Sequence, residues 1–228
     1  MIEHLIFDLD QTLVDRSSTL RKFVHNQHAR LLAGRSELTA EDYWAGIQRF
    51  DKNGYASKSE MFEQTAEFLQ LPVPASELLE DFLSNYGADA VLFDGVHEVL
   101  SQLQKTYQLA LLSNGRSKAQ RAKIASTGLA GYFDLTIISQ EVGMKKPDPR
   151  IFQLCLRQLE AQPHQCLYLG DHPVNDVETA KSCGLLGVWR ANDHYQPPAQ
   201  SDGQIQSLSQ LPQLLEKLQL RPESSVLA

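Results

Sequence analysis

Two acidic residues two positions apart, Asp8 and Asp10, follow the short apolar run His4–Phe7 in the stretch Asp8-Leu9-Asp10-Gln11-Thr12. On an extended strand, residues i and i+2 face the same side, so two carboxylates would leave one strand end together. Such a pair can divide labour when its members sit in different environments, one ionised as a nucleophile and one protonated as an acid. In isolation D-x-D-x-T is equally a solvated acidic turn. A calcium loop is excluded, because Leu13 and Thr19 stand where an EF-hand needs glycine and glutamate.

Three further constellations carry chemistry-bearing residues. Ser113-Asn114-Gly115 follows the apolar run 109–112, and a hydroxyl with successive backbone N–H groups at a strand-to-helix turn can hold phosphate oxygens. The same tripeptide is also an ordinary turn. Gly143-Met144-Lys145-Lys146-Pro147-Asp148-Pro149 offers a lysine beside a helix start, where an ammonium can neutralise an aspartate nucleophile and a transferring phosphoryl group. Either lysine alone reads as a solvated loop residue. Gly170-Asp171-His172-Pro173-Val174-Asn175-Asp176 places two more carboxylates after the run 166–169, a set of oxygen donors suited to a hard cation such as Mg²⁺. Asn175 or Asp176 could also cap the helix carrying Val177, Ala180 and Cys183. His172 has two readings, a substrate contact or a loop role.

The elements that must position these residues follow from periodicity. Short apolar runs at 4–7, 109–112, 135–138, 166–169 and 187–189 read as buried strands. Between them lie helical stripes: Val96, Val99, Leu100 and Leu103, then Ile151, Phe152, Cys155, Leu156 and Leu159. Asp148 and Pro149 form a natural start for the second. Alternation of β and α from about residue 91 onward predicts an α/β fold, a Rossmann-like three-layer core with a parallel sheet. Residues 16–90 break the alternation with four helical patterns in succession, each behind a candidate cap: Ser17 or Ser18, Thr39, Ser57 or Ser59, and Ser76. Gly34 and Gly87 are the candidate stops. The expected organisation is a core domain of residues 1–15 and 91–228, with a helical cap domain of residues 16–90 inserted just after the acidic pair. Tyr43, Trp44 and Phe50 are expected in the cap's own core. His25 and His28 stand three apart on a helix without a cysteine or acidic partner, which reads as surface histidine.

Bulk properties bound the function. The 228 residues are 42% hydrophobic and 21% charged, the composition of a globular protein large enough for a substantial core. A formal charge of −7 argues against a nucleic-acid polymer as partner, which would need a basic face. Cys155, Cys166 and Cys183 have no close pairing, so they read as reduced thiols. No stretch reaches the length of a membrane span, and Met1-Ile2-Glu3-His4-Leu5 has no basic leader, so the expected location is cytoplasmic, without a membrane partner. Only residues 221–228, with weak periodicity, suggest a disordered tail.

In order and spacing, D-x-D-x-T, S-N-G, G-x-x-K-P-D-P and G-D-x-x-x-x-D resemble the four motifs of the haloacid dehalogenase-like (HAD) hydrolase superfamily. The likeness spans essentially the whole chain, because 205–218 resembles that family's closing strand and helix. The resemblance implies a phosphatase in which Asp8 attacks phosphorus and Asp10 serves as general acid and then base. It implies that Ser113 and Asn114 bind phosphoryl oxygens, that Lys146 rather than Lys145 is the family lysine, and that Mg²⁺ is held by Asp8, the Asp10 carbonyl and Asp171, with Asp176 in or near its shell. Family caps between the first and second motifs are helical, as residues 16–90 are. Only 32 residues separate Ser113 from Lys146, too few for the alternative large cap.

The expected substrate is a small phosphorylated metabolite. Dehalogenases with this nucleophile lack the second aspartate, which Asp10 supplies here. A phosphonatase would need a cap lysine with a depressed pKa, and nothing around Lys52 or Lys58 in the sequence suggests one. A phosphoglucomutase-like phosphotransferase shares all four motifs and stands as the alternative, ahead of a non-catalytic binding protein on the same scaffold.

Overall fold

Alternate residues of each core strand face opposite sides of one sheet, and each side buries its own cluster. The computed structural model describes residues 1–220; the tail expected at 221–228 lies outside them. Six strands are described: β1 (His4–Phe7), β2 (Gln108–Ser113), β3 (Leu135–Ile138), β4 (Cys166–Gly170), β5 (Leu186–Arg190) and β6 (Gly203–Ile205). All neighbours pair parallel, in the order β3-β2-β1-β4-β5-β6. The register sets Phe7 opposite Leu111 on one side and Leu169 on the other.

The helices are α1 (Arg16–Leu31), α2 (Ala40–Asp51), α3 (Lys58–Leu69), α4 (Ala75–Asn85), α5 (Val96–Leu103), α6 (Ser117–Ser126), α7 (Ser139–Val142), α8 (Pro149–Gln158), α9 (Thr179–Ser182) and α10 (Leu211–Gln219). Leu5, Phe7, Leu109, Leu111, Leu167 and Leu169 pack with the buried faces of α5 and α10. Ile6, Ala110, Leu112, Cys166 and Tyr168 pack with α8. Each of the leucine, isoleucine and phenylalanine side chains among these contributes about 1.5–3 kcal/mol on burial. Because β1 has β2 on one side and β4 on the other, the winding direction changes there. A crevice therefore opens beyond the carboxyl ends of these strands.

Helices α1 to α4 all fall between β1 and β2 and bury a separate cluster around Phe23, Tyr43, Ile47, Phe62, Leu78 and Phe82. Phe82 stacks on Tyr86 at 4.5 Å and meets Phe23 edge-on at 5.3 Å. Trp44 and Phe50 pack against this cluster from partly exposed positions. The segment joins the sheet through a narrow neck: the Asp15 N–H donates to the Val91 carbonyl at 2.9 Å, and the Val91 N–H donates to Thr19 Oγ1 at 2.9 Å.

Several helix starts differ from expectation. Asp15, not Ser17 or Ser18, caps α1, because its carboxylate is the stronger acceptor and takes both the N–H and the hydroxyl of Ser18. The α4 start is Pro74-Ala75 rather than Ser76, where proline's fixed φ already suits the entry to a helix. Thr39 and Asp148 do cap α2 and α8. No described helix is long and apolar enough to cross a membrane.

Candidate active site

Asp8 leaves the end of β1 almost fully buried, and Asp171 and Asp176 reach it from the segment after β4. One oxygen from each of the three lies within 4.8 Å of the others. Asp176 sits in a π-helical turn, Pro173–Glu178, a widened geometry frequent at functional sites. Gly170 makes room for it: a Cβ there would meet the Asp176 carboxyl at 2.5 Å. The cap of this turn is His172, not Asn175 or Asp176 as the sequence suggested. Its Nδ1 accepts from the backbone N–H groups of Val174 and Asn175 at 3.2 and 3.0 Å, and the His172 backbone N–H donates to Asp176 Oδ2 at 3.0 Å.

Lys146 lies at the centre of this group, while its neighbour Lys145 is exposed. The Lys146 ammonium donates to Asp8 Oδ1, Asp176 Oδ1 and the Tyr168 hydroxyl, each at 2.7 Å. Burial pulls its pKa down, but Asp176 and Asp8 outweigh that and hold it above the usual lysine value. Asn114 positions the loop, clamping the Lys146 peptide by accepting from its N–H and donating to its carbonyl, both at 2.9 Å. Ser113 is fully buried; its hydroxyl accepts from Gln120 Nε2 at 2.7 Å and does not line the cavity.

The carboxylates carry more negative charge than Lys146 balances. Burial pushes Asp8 up to about 7, against the pull of Lys146 and with Asp176 and Asp10 adding to the rise. Asp171 is pushed up to about 9 by burial and then by Asp176 and Asp8. Among the described residues the Asp171 carboxylate accepts no hydrogen bond, whereas its carbonyl accepts from Trp189 Nε1 at 2.8 Å and Asn192 Nδ2 at 3.0 Å. A held backbone, a free carboxylate and oxygen-only donors fit a hard dication. Asp176 is already engaged by Lys146 and His172, so Asp8 and Asp171 have the freer oxygens.

Asp10 lies apart from this trio and faces α6. Its oxygens accept from Lys123 Nζ at 2.7 and 2.8 Å and from Gln120 Nε2 at 2.9 Å. Burial raises its pKa, but Lys123 more than reverses this, so it is held below the usual carboxylate range. Neither Gln120 nor Lys123 emerged from the sequence. The available signal was a polar stripe on the buried side of the helix after Ser113-Asn114-Gly115.

A cavity of about 350 Å³ joins these groups to the helical segment. Asp8, Asp10, Asn114, Lys146, Asp171 and Asp176 line it together with Arg16, Asn53, Gly54 and Tyr55 of the helical segment. At the mouth the Tyr195 hydroxyl donates to that of Tyr55 at 3.3 Å, and His172 packs on Tyr195 at 4.5 Å. Lys58 departs from expectation. It is largely buried and burial lowers its pKa, although Asp51, 2.7 Å away, opposes the shift. His28 is tied to the Leu38 carbonyl at 2.7 Å and belongs to no cluster of metal-ligating side chains among the described residues.

The model of one family, the haloacid dehalogenase-like hydrolases, matches residues 2–184. A phosphoserine phosphatase from Thermus thermophilus is 44% identical over 81 residues, 36% of this chain and only 32% of that relative's length. An N-acylneuraminate-9-phosphatase from Mus musculus is 26% identical over 99% of this chain and 98% of its own. The HAD-hydrolase YfnB from Bacillus subtilis, solved with magnesium, has a TM-score of 0.75 at 21% identity, covering 94% of this chain and 98% of that one. A 2-haloacid dehalogenase from Pseudomonas syringae has a TM-score of 0.66 at 25% identity, covering 96% and 100%.

Proposed function

The chain belongs to the haloacid dehalogenase-like hydrolases, and from that premise we propose that it is a phosphohydrolase of small phosphate monoesters acting through phosphorylated Asp8. The observation that carries this reading is the convergence of Asp8, Asp171 and Asp176 on one buried point with Lys146 between two of them. An Asp8 oxygen attacks phosphorus, the ester P–O bond breaks, and Asp10 gives its proton to the departing alcohol. Asp10 then takes a proton from water as that water attacks the phosphoryl group, which releases phosphate and restores Asp8.

Lys146 holds Asp8 in place and balances charge as it builds on the phosphoryl oxygens. The pair with Lys123 favours the carboxylate form of Asp10, the form needed to activate water; the nearby phosphoryl dianion favours the protonated form needed first. Mg²⁺ held by Asp8 and Asp171 would neutralise the nucleophile and the phosphoryl oxygens against each other. The presence of Asp10 supports phosphoryl transfer over dehalogenation, and the phosphatases among the relatives support the same branch. The helical segment, set over the cavity, would exclude water from the first step.

Turnover of p-nitrophenyl phosphate with Mg²⁺ tests the reading. Asp8→Asn should lower kcat on the order of 10⁴-fold or more. Equal rates for the two proteins would refute the role of Asp8.

A further inference from the structure

We propose, building on the phosphohydrolase reading, that the cavity selects phosphate monoesters whose alcohol part carries a carboxylate, and that Arg16 and Lys145 recognise it. The wall of the cavity that Arg16 contributes is cationic. Arg16 uses one nitrogen, Nη2, on both oxygens of Asp51 at 2.9 and 2.8 Å, and Lys58 donates to the same carboxylate at 2.7 Å. Two cations on one aspartate leave one positive charge in surplus at a largely buried place. The Nε and Nη1 groups of Arg16, the Asn53 amide and the Lys145 ammonium donate to no side chain or carbonyl in the hydrogen bonds of the described residues, and all three residues line the cavity.

The backbone is shaped around this guanidinium. Lys52 and Asn53 hold left-handed conformations (φ 49° and 54°), followed by Gly54 at φ 92°. A Cβ on Gly54 would come within 2.8 Å of the Arg16 guanidinium, so the position needs glycine for conformation and for space. A run of left-handed residues is costly and persists where the surroundings enforce it, typically at ligand sites. A mere pin between α1 and α2 would need only Arg16 and Asp51, with neither the second cation nor spare donors on a cavity-lining arginine. An arginine fork matches a carboxylate's planar geometry, and the Lys145 ammonium adds a second cation on the cavity wall. A cavity of about 350 Å³ is at the small end for ligand sites, which suits a compact hydroxy acid ester.

Calorimetric binding to the full chain with Mg²⁺, in the Asp8→Asn background so that ligands stay intact, tests the proposal. 3-Phosphoglycerate and glycerol 3-phosphate differ only in the group that replaces the carboxylate. The first should bind about tenfold or more tightly, and Arg16→Met should shrink the difference to about threefold or less, with Arg16→Lys restoring part of it. Lys145→Met, at an exposed position, should reduce the difference independently of any folding defect in the Arg16 variants. Equal affinities, absence of binding by both ligands, or a preference that survives both methionine variants in folded protein would overturn the proposal. A preference for fructose 1,6-bisphosphate over fructose 6-phosphate, with none in the first pair, would overturn the assignment to a carboxylate. Each outcome reads binding alone, so loss of turnover in the p-nitrophenyl phosphate assay remains a separate failure.

Discussion

Asp8 and Asp171 titrate far from an unfolded aspartate, at about 7 and about 9, because burial and then neighbouring carboxylates disfavour their charge. In the unfolded chain both lose their protons near pH 4. Between about pH 4 and those raised values, the metal-free folded protein therefore holds protons that the unfolded chain has shed. These two groups make its stability fall as pH rises through that window. Urea denaturation in a chelator should give a lower unfolding free energy at about pH 8.5 than at about pH 5, and Asp171→Asn should flatten the slope. A wild-type profile that rises across this range would contradict the assignment. Lys146 keeps its charge throughout and does not contribute to the slope in that window.

The helical segment owes its integrity to aromatic packing rather than to the sheet. Phe82 touches Phe23, Phe62 and Tyr86 in one cluster, so Phe82→Ala should cost about 3–5 kcal/mol, read from the urea midpoint at constant m-value. Five of the six described strands were legible in the sequence because buried parallel strands are written as short apolar runs; β6, Gly-Gln-Ile, is too short and polar to make one. Asp8, Asp10 and Asp171 were legible because each stands at or just after such a run's end, and Lys146 and Asp176 because they complete short polar motifs a few residues further on. Gln120 and Lys123 were hidden, since polar residues on a helix normally mark its wet face, and only the tertiary fold brings position 123 to position 10. The bond from Arg16 to Asp51 was hidden for the same reason, joining residues 35 apart through a loop whose left-handed turns leave no pattern. The π-helical turn was missed because His172 acts as its cap, a role for which serine, threonine or aspartate is the expected signal.

For the molecule as a whole, a dication held by the carboxylate cluster would couple that cluster to global stability. At free Mg²⁺ about a hundredfold above its dissociation constant, the gain should be about 2.7 kcal/mol, a rise of several degrees in Tm by scanning calorimetry. Asp171→Asn should lose most of that rise; an equal rise in the variant would place the ion elsewhere. The neck between Asp15 and Val91 has a consequence of a different kind. To the sheet, all the chain between these two residues is one loop with its ends pinned 2.9 Å apart, and the entropy of closing such a loop grows by only about 0.6 kcal/mol for each doubling of its length. Changes in that loop's length therefore cost the sheet little, and the carboxylate cluster at the strand ends can keep its geometry while the helical wall of the cavity is altered.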